Sequence, residues 1–162
     1  ADIQYYVADD EIENKVMFKK KQLINKAIVK FDSMTPEKKK KVARLLGLPV
    51  SDDSKEETVY NQVDNLLKQT EFKNGKYQGL NPIEVFGRFA DMKENLLHIK
   101  DLVKQAVAHS VYRAKPNGKI YEGEFEIATD EDDLVKFLAD EDNQDQLLIL
   151  EGKLKGKKIA AI

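Results

Sequence analysis

Apolar positions along this chain repeat in two rhythms, a helical one up to about residue 109 and a strand-like one after it. The first helical segment is capped by Asp9 or Asp10 and runs to about Phe31, with Ile12, Val16, Leu23, Ile24, Ala27, Ile28 and Phe31 on one stripe. Lys19, Lys20 and Lys21 interrupt its middle, and Lys26 and Lys30 continue the polar side. Thr35-Pro36-Glu37 restarts a helix: Thr as N-cap, Pro at the first helical position where its missing N–H costs nothing, and an acid in the first turn. That second helix ends near Leu46, with Gly47 suited to a left-handed cap and Pro49 blocking extension. Ser54-Lys55-Glu56-Glu57 reads as a capping box opening a third helix with apolar Val59, Val63, Leu66 and Leu67.

Residues 72–82 hold two Gly, two Asn and a Pro, the chemistry of turns, and read as a linker after an N-terminal helical unit of residues 1–71. Beyond Pro82 the pattern predicts one long central helix over 83–109. Phe89, Met92, Leu96, Ile99 and Val103 alternate spacings of three and four, the seam of a bundle or coiled coil and a candidate interaction helix. From 110 to 152 the pattern predicts a small β-β-α-β unit. A hairpin turns at Asn117-Gly118, and in its second strand Tyr121, Gly123, Phe125 and Ile127 share the face expected to be buried while Glu122, Glu124 and Glu126 face water. Thr129-Asp130-Glu131-Asp132 caps a short helix, Gln146 to Leu150 reads as a third strand, and 153–162 as a basic tail. Helices and strands are segregated along the chain, so the expected fold class is α+β and mainly helical.

Composition narrows the chemistry. The 162 residues include no Cys and no Trp, which removes disulfides, thiol nucleophiles and Cys-ligated metals from the list. No apolar run approaches the ~20 residues of a membrane-spanning helix, so no membrane association is expected. The first residues lack the basic and apolar regions of a secretion signal, and Ala1 is what initiator-Met removal leaves. The expected location is the cytoplasm, or the virion if this is a viral assembly protein.

A net charge of −2 conceals a strong asymmetry. Lys15 to Arg44 carries eleven cations against two acids, a local excess of +9; Glu122 to Asp145 carries eleven acids against one lysine, a local excess of −10. Poles of this kind point to a polyanionic partner or to complementarity between copies.

Known chemical motifs are mostly absent. His98 and His109 lie roughly 16 Å apart along one predicted helix and cannot share a metal. Asp140-x-Asp142-x-Gln144 begins like a calcium loop, with Glu151 at its twelfth position, but Asp145 stands where that loop needs Gly. Gly152 to Lys158 is one residue short of a phosphate loop and lacks its Ser or Thr. No cofactor and no metal are expected; an enzyme would have to be a hydrolase built on scattered carboxylates.

Residues 36–67 read as helix, a Gly47-Leu48-Pro49-Val50 extended turn, then helix. This layout locally resembles that of SAP-type DNA-binding modules over about a fifth of the chain, and the resemblance implies phosphate contacts from the adjacent lysines. It departs from them at the loop, where Asp52 and Asp53 add negative charge. The candidate nucleic-acid residues are Lys19, Lys20, Lys38, Lys39, Lys40, Lys41 and Arg44, assisted by Lys157 and Lys158, because affinity for phosphate is mainly charge of this kind. Two functions are therefore expected of the chain: a non-enzymatic structural or adaptor subunit of a larger assembly, viral, phage or nucleoprotein, with a protein partner or self-association; or a DNA- or RNA-binding protein acting through Lys15 to Arg44.

Overall fold

The computed structural model describes residues 2–160 of the chain. They form seven α-helices and one small antiparallel sheet, a mainly helical α+β fold divided into two compact units, the first ending at Asp91 and the second beginning at Met92.

The first unit is built from α1 (Asp2–Asp32), α2 (Pro36–Leu45), α3 (Glu56–Leu67) and α4 (Pro82–Ala90). Thr35 caps α2 as its position predicts, its Oγ1 accepting the Lys38 N–H at 3.3 Å. Gly47 ends that helix at φ +90°, while its own N–H bonds to Arg44 O and the Leu48 N–H to Ala43 O, the paired bonds of a Schellman cap. The capping box at Ser54 does not form. Ser54 Oγ instead accepts the Ser51 N–H at 2.9 Å, closing a local turn, and Lys55 becomes the N-cap of α3 without a side-chain bond. The core of this unit gathers Phe31, Val42, Val59, Val63, Leu67, Val85 and Phe86. Phe31 and Phe86 meet edge to face with centroids 6.3 Å apart.

Two expectations about this unit are corrected. The 72–82 segment is not a linker: Phe72 is buried and meets the tilted Tyr77 ring at 5.7 Å, and Tyr77 in turn meets Phe89 at 6.0 Å. The turn residues serve a packed loop, and the boundary falls at 91/92 instead. Nor does α1 begin at Asp9 or Asp10; the helix passes through both from Asp2.

The predicted 83–109 helix is two helices, α4 and α5 (Glu94–Ala108), separated at Asp91-Met92-Lys93. Asn81 Oδ1 accepts the Ile83 N–H to start α4, whose last turn is held in the first unit by Lys38 Nζ donating to Ala90 O at 3.3 Å and by the Lys30–Asp91 ion pair. Lys93 then adopts an extended conformation with ψ 138°. The alternation of three and four runs unbroken across this break because apolar residues feed two different cores, Phe89 in the first unit and Ile99 and Val103 in the second.

The second unit adds β1 (Arg113–Ala114), β2 (Ile120–Glu122), β3 (Phe125–Ala128), α6 (Glu131–Ala139), a 3-10 turn (Glu141–Asn143) and α7 (Gln144–Ala160). The Asn117-Gly118 hairpin is present, with Gly118 at φ +89° and Arg113 opposite Tyr121. A second, unforeseen turn at Gly123-Glu124 breaks the expected long strand, with Gly123 at φ +61° and Glu122 opposite Phe125. The alternation of faces fails with it. Phe125 is 78% exposed and Ile127 38%, while Ile120 and Ala128 supply the buried contacts. An irregularity in register between Ile120 and Tyr121 shifts which side of β3 looks inward.

The third strand and the basic tail are together the helix α7. Leu147, Leu150 and Leu154 are buried at spacings of three and four, whereas Leu148 is 67% exposed. An apolar quartet carries no periodicity of its own, so a strand and a helix write it alike. Ala161 and Ile162, the end of the predicted tail, lie outside the described residues.

Candidate functional site

The lysine-rich helix α2 does not present an open cationic row. Lys39 is buried, its side chain 7% exposed; its Nζ donates to Glu56 Oε1 at 2.8 Å, lies 3.6 Å from Asp32 and sits over the Phe31 ring. The hydrogen bond to Glu56 outweighs burial and raises the Lys39 pKa above its ordinary 10.5, and the same bond lowers that of Glu56 below 4.5. Lys40 Nζ donates to Asp52 O at 2.6 Å and Arg44 bridges to Asp52 Oδ1 at 3.2 Å. Lys38 is committed to Ala90 O. Asp52, noted in the sequence for opposing phosphate, acts here as the clamp that holds Lys40 and Arg44 to the loop. Lys41, half-buried, is the remaining cation of the helix.

Helix α1 is the reverse case. Every residue from Asp9 to Leu23 is exposed, and burial begins only at Ile24, Ala27 and Phe31, where α1 meets α3 and α4. Lys15, Lys19, Lys20, Lys21 and Lys26 are all exposed, and no ion-pair partner is described for any of them. The apolar residues of the same stretch are exposed too: Ile12 61%, Val16 62%, Met17 55%, Phe18 62% and Leu23 53%. Sequence periodicity had assigned Ile12, Val16 and Leu23 to a buried stripe. The stripe is real, but only its last two turns touch the unit.

The interaction seam proposed on the central helix is interior. Phe89 is buried in the first unit, Ile99 and Val103 are buried in the second, Leu96 packs against that second core and Met92 is half-exposed at the break. Lys157 and Lys158 lie on the last turns of α7, in the other unit from Lys19, Lys20 and the α2 cations.

The acids of the second unit serve as caps and local pairs. Asp130 Oδ1 accepts the Asp133 N–H at 2.7 Å to start α6, and Asp133 accepts from the Thr129 N–H and hydroxyl. Asp140 caps the 3-10 turn by accepting the Asp142 N–H, so the calcium-like spacing belongs to a helix start, and Glu151 sits in α7 at 3.2 Å from His98 Nε2. Glu122 pairs with Lys153 at 2.9 Å and Glu126 with Lys119 at 3.5 Å. Among the described residues no three acids or histidines are placed to hold a metal ion, and no helix is long and apolar enough to cross a membrane. On the hairpin, Lys115 Nζ stands 4.0 Å from the Tyr121 ring centre, while Tyr112 is buried and its phenol is pushed up to about 12, chiefly by burial and secondly by Glu122.

Compared with known proteins, the chain matches no family model, no curated protein and no solved structure.

Proposed function

We propose that this chain is a structural or adaptor subunit whose assembly element is the first half of α1. One observation carries the reading: fifteen consecutive positions, Asp9 to Leu23, stand exposed on an unbroken helix together with five large apolar side chains. Isolated helices of about 12–15 residues are marginal in water even with the best sequences, so a stretch of this length is normally held by packing. Apolar surface left on it is the mark of a contact surface. The expected experiment is photo-cross-linking in the cells that make the protein, with a photoreactive residue at position 12 or 16 and, for contrast, at Lys136 on α6. Adducts at 12 and 16 alone support the reading; none at either overturns it.

The nucleic-acid reading keeps support from a different helix than its lysine run first indicated, because Lys15, Lys19, Lys20, Lys21 and Lys26 stand exposed on α1 while four of the five α2 cations have partners in their own unit. Its test is light scattering with mixed-sequence duplex DNA at roughly 50 and 200 mM salt, where phosphate contacts weaken steeply. A mass unaffected by DNA at either salt refutes it.

A further inference from the structure

We infer that the occupant of the α1 surface is a second copy of α1, lying antiparallel. The inference rests on the assembly reading above and adds the partner and its direction. Between Asp9 and Lys30 of α1 the charge is divided in two: Asp9, Asp10, Glu11 and Glu13 without a cation among them, then Lys15, Lys19, Lys20, Lys21, Lys26 and Lys30 without an acid. A helix polarised in this way complements its own reversed copy.

The exposed stripe fixes the register. Asp9, Ile12, Val16, Lys19 and Leu23 follow one another at spacings of 3, 4, 3 and 4, the two inward positions of a heptad. With position 14 on the two-fold axis, Ile12 falls opposite the second copy's Val16 and Asp9 opposite its Lys19. The first of these layers joins apolar to apolar and the second acid to lysine. A parallel, in-register pair would instead stack Asp9 on Asp9 and Lys19 on Lys19. Glu13 and Lys15 flank the axis and each meets its own copy there, on the exposed sides of the pair where like charges are screened. Met17 and Phe18 lie off the seam and stay outside it.

The geometry leaves room for the first unit of each copy. The helix enters its packed unit at Ile24, and in this register the two Ile24 positions stand about 30 Å apart along the pair, twenty residues at 1.5 Å each, so the two copies' first units sit at opposite ends. The seam is short, so the dimer is weak and is sought up to about 500 µM protein.

Because the chain has no cysteine, single cysteines report the arrangement without background. Asp9→Cys and Lys19→Cys chains mixed under mild oxidation should form a disulfide-linked heterodimer, while Asp9→Cys alone should not cross-link. Cross-linking of Asp9→Cys to itself, or none in the mixture, overturns the proposal. In sedimentation equilibrium the native chain should approach twice 18.5 kDa. Lys19→Asp, which faces Asp9 across the seam, should raise Kd by at least about tenfold, and the double variant Asp9→Lys with Lys19→Asp should restore it to within about threefold. These positions are exposed, and circular dichroism checks that the variants stay folded. A monomer at every concentration refutes self-pairing. If the photo-cross-links at 12 and 16 then capture a different protein, the assembly reading survives without it; if they capture nothing, both fall.

Discussion

Helix α1 is asked to do two things, to anchor in the first unit and to stand free of it, and a pair of alanine substitutions separates them. Phe31 is 1% exposed, packed edge to face on Phe86 and covered by the Lys39 ammonium 5.9 Å from its ring centre. Phe31→Ala removes a whole buried ring, a loss of about 3–5 kcal/mol, of which the aromatic pair supplies about 0.5–1.5 kcal/mol. Ile12 lies more than three turns before the unit's first contact at Ile24 and buries little, so Ile12→Ala loses almost no packing and gains slightly in helix propensity. Its expected effect is within about 0.5 kcal/mol in the monomer. Hydrogen exchange read by mass spectrometry distinguishes the two, because the most protected amides of α2 and α3 report opening of the unit itself. Phe31→Ala should speed their exchange by about 10²–10⁴-fold, the kinetic image of that energy, and Ile12→Ala should leave them unchanged at dilute concentration. Equal effects from the two substitutions, or a Phe31→Ala effect below about 1 kcal/mol, would refute the division of the helix into anchor and arm.

Other expectations follow from single sites. Gly47 holds φ +90° at the end of α2, so Gly47→Ala should cost about 1–2 kcal/mol in urea unfolding, although nothing stands near enough to clash with the added methyl. Asp130→Ala deletes the cap of α6 and should cost about 1 kcal/mol; Asp130→Asn, which keeps an accepting oxygen, should recover most of it in the same assay. The Lys39–Glu56 bond raises one pKa and lowers the other, so its contribution is complete between pH 4.5 and 10.5. The stability difference between native chain and Lys39→Met should therefore shrink below 4.5, as Glu56 protonates through its lowered pKa, and above 10.5, as Lys39 deprotonates through its raised one. A pH-independent difference would sink this assignment. Tyr112, raised from 10.0 to about 12, favours the fold fully below pH 10 and loses that contribution as pH rises through 12; in a titration followed at 295 nm Tyr112→Phe should remove the phase near pH 12.

The fold was legible where a residue has one local use. Thr35-Pro36, Gly47, Asn117-Gly118 and Asp130 do in the structure what their chemistry dictates, because most caps and turns are decided within four residues; Ser54 departs from its reading by closing a turn with Ser51 instead of capping α3. Reading failed where the outcome depends on what lies across the core. Leu147 to Leu150 looks the same in a strand and a helix, and only the second-unit core selects Leu147 and Leu150 while leaving Leu148 out. The unbroken spacing from Phe89 to Val103 concealed a boundary, since a break of three residues between two helices preserves the count while changing which core receives each side chain. Phe125 was misassigned because the Gly123 turn and the irregularity after Ile120 alter the strand's register, and neither leaves a mark in simple alternation.

Charge shows the same limit in its sharpest form. Counted along the chain, α2 is the most cationic segment, yet Lys38, Lys39, Lys40 and Arg44 are bound to a helix end, two carboxylates, a loop carbonyl and Asp52. A tethered ammonium must break its own bonds before it meets a phosphate or an acidic partner, so the density of lysine in a sequence overstates the charge a surface can offer. On α1, Lys15, Lys19, Lys20, Lys21 and Lys26 are fewer per turn and face water without such ties, and the acids that balance them come from half a turn to nearly five turns earlier on the same helix. Placed there, opposite charges are too far apart along a rigid rod to neutralise one another across most of its length, at 1.5 Å per residue. What they can do is meet in another molecule. The candidate site of this protein is therefore a matter of which charges the fold leaves unspent, a property that the order of residues implies only after the helices are packed.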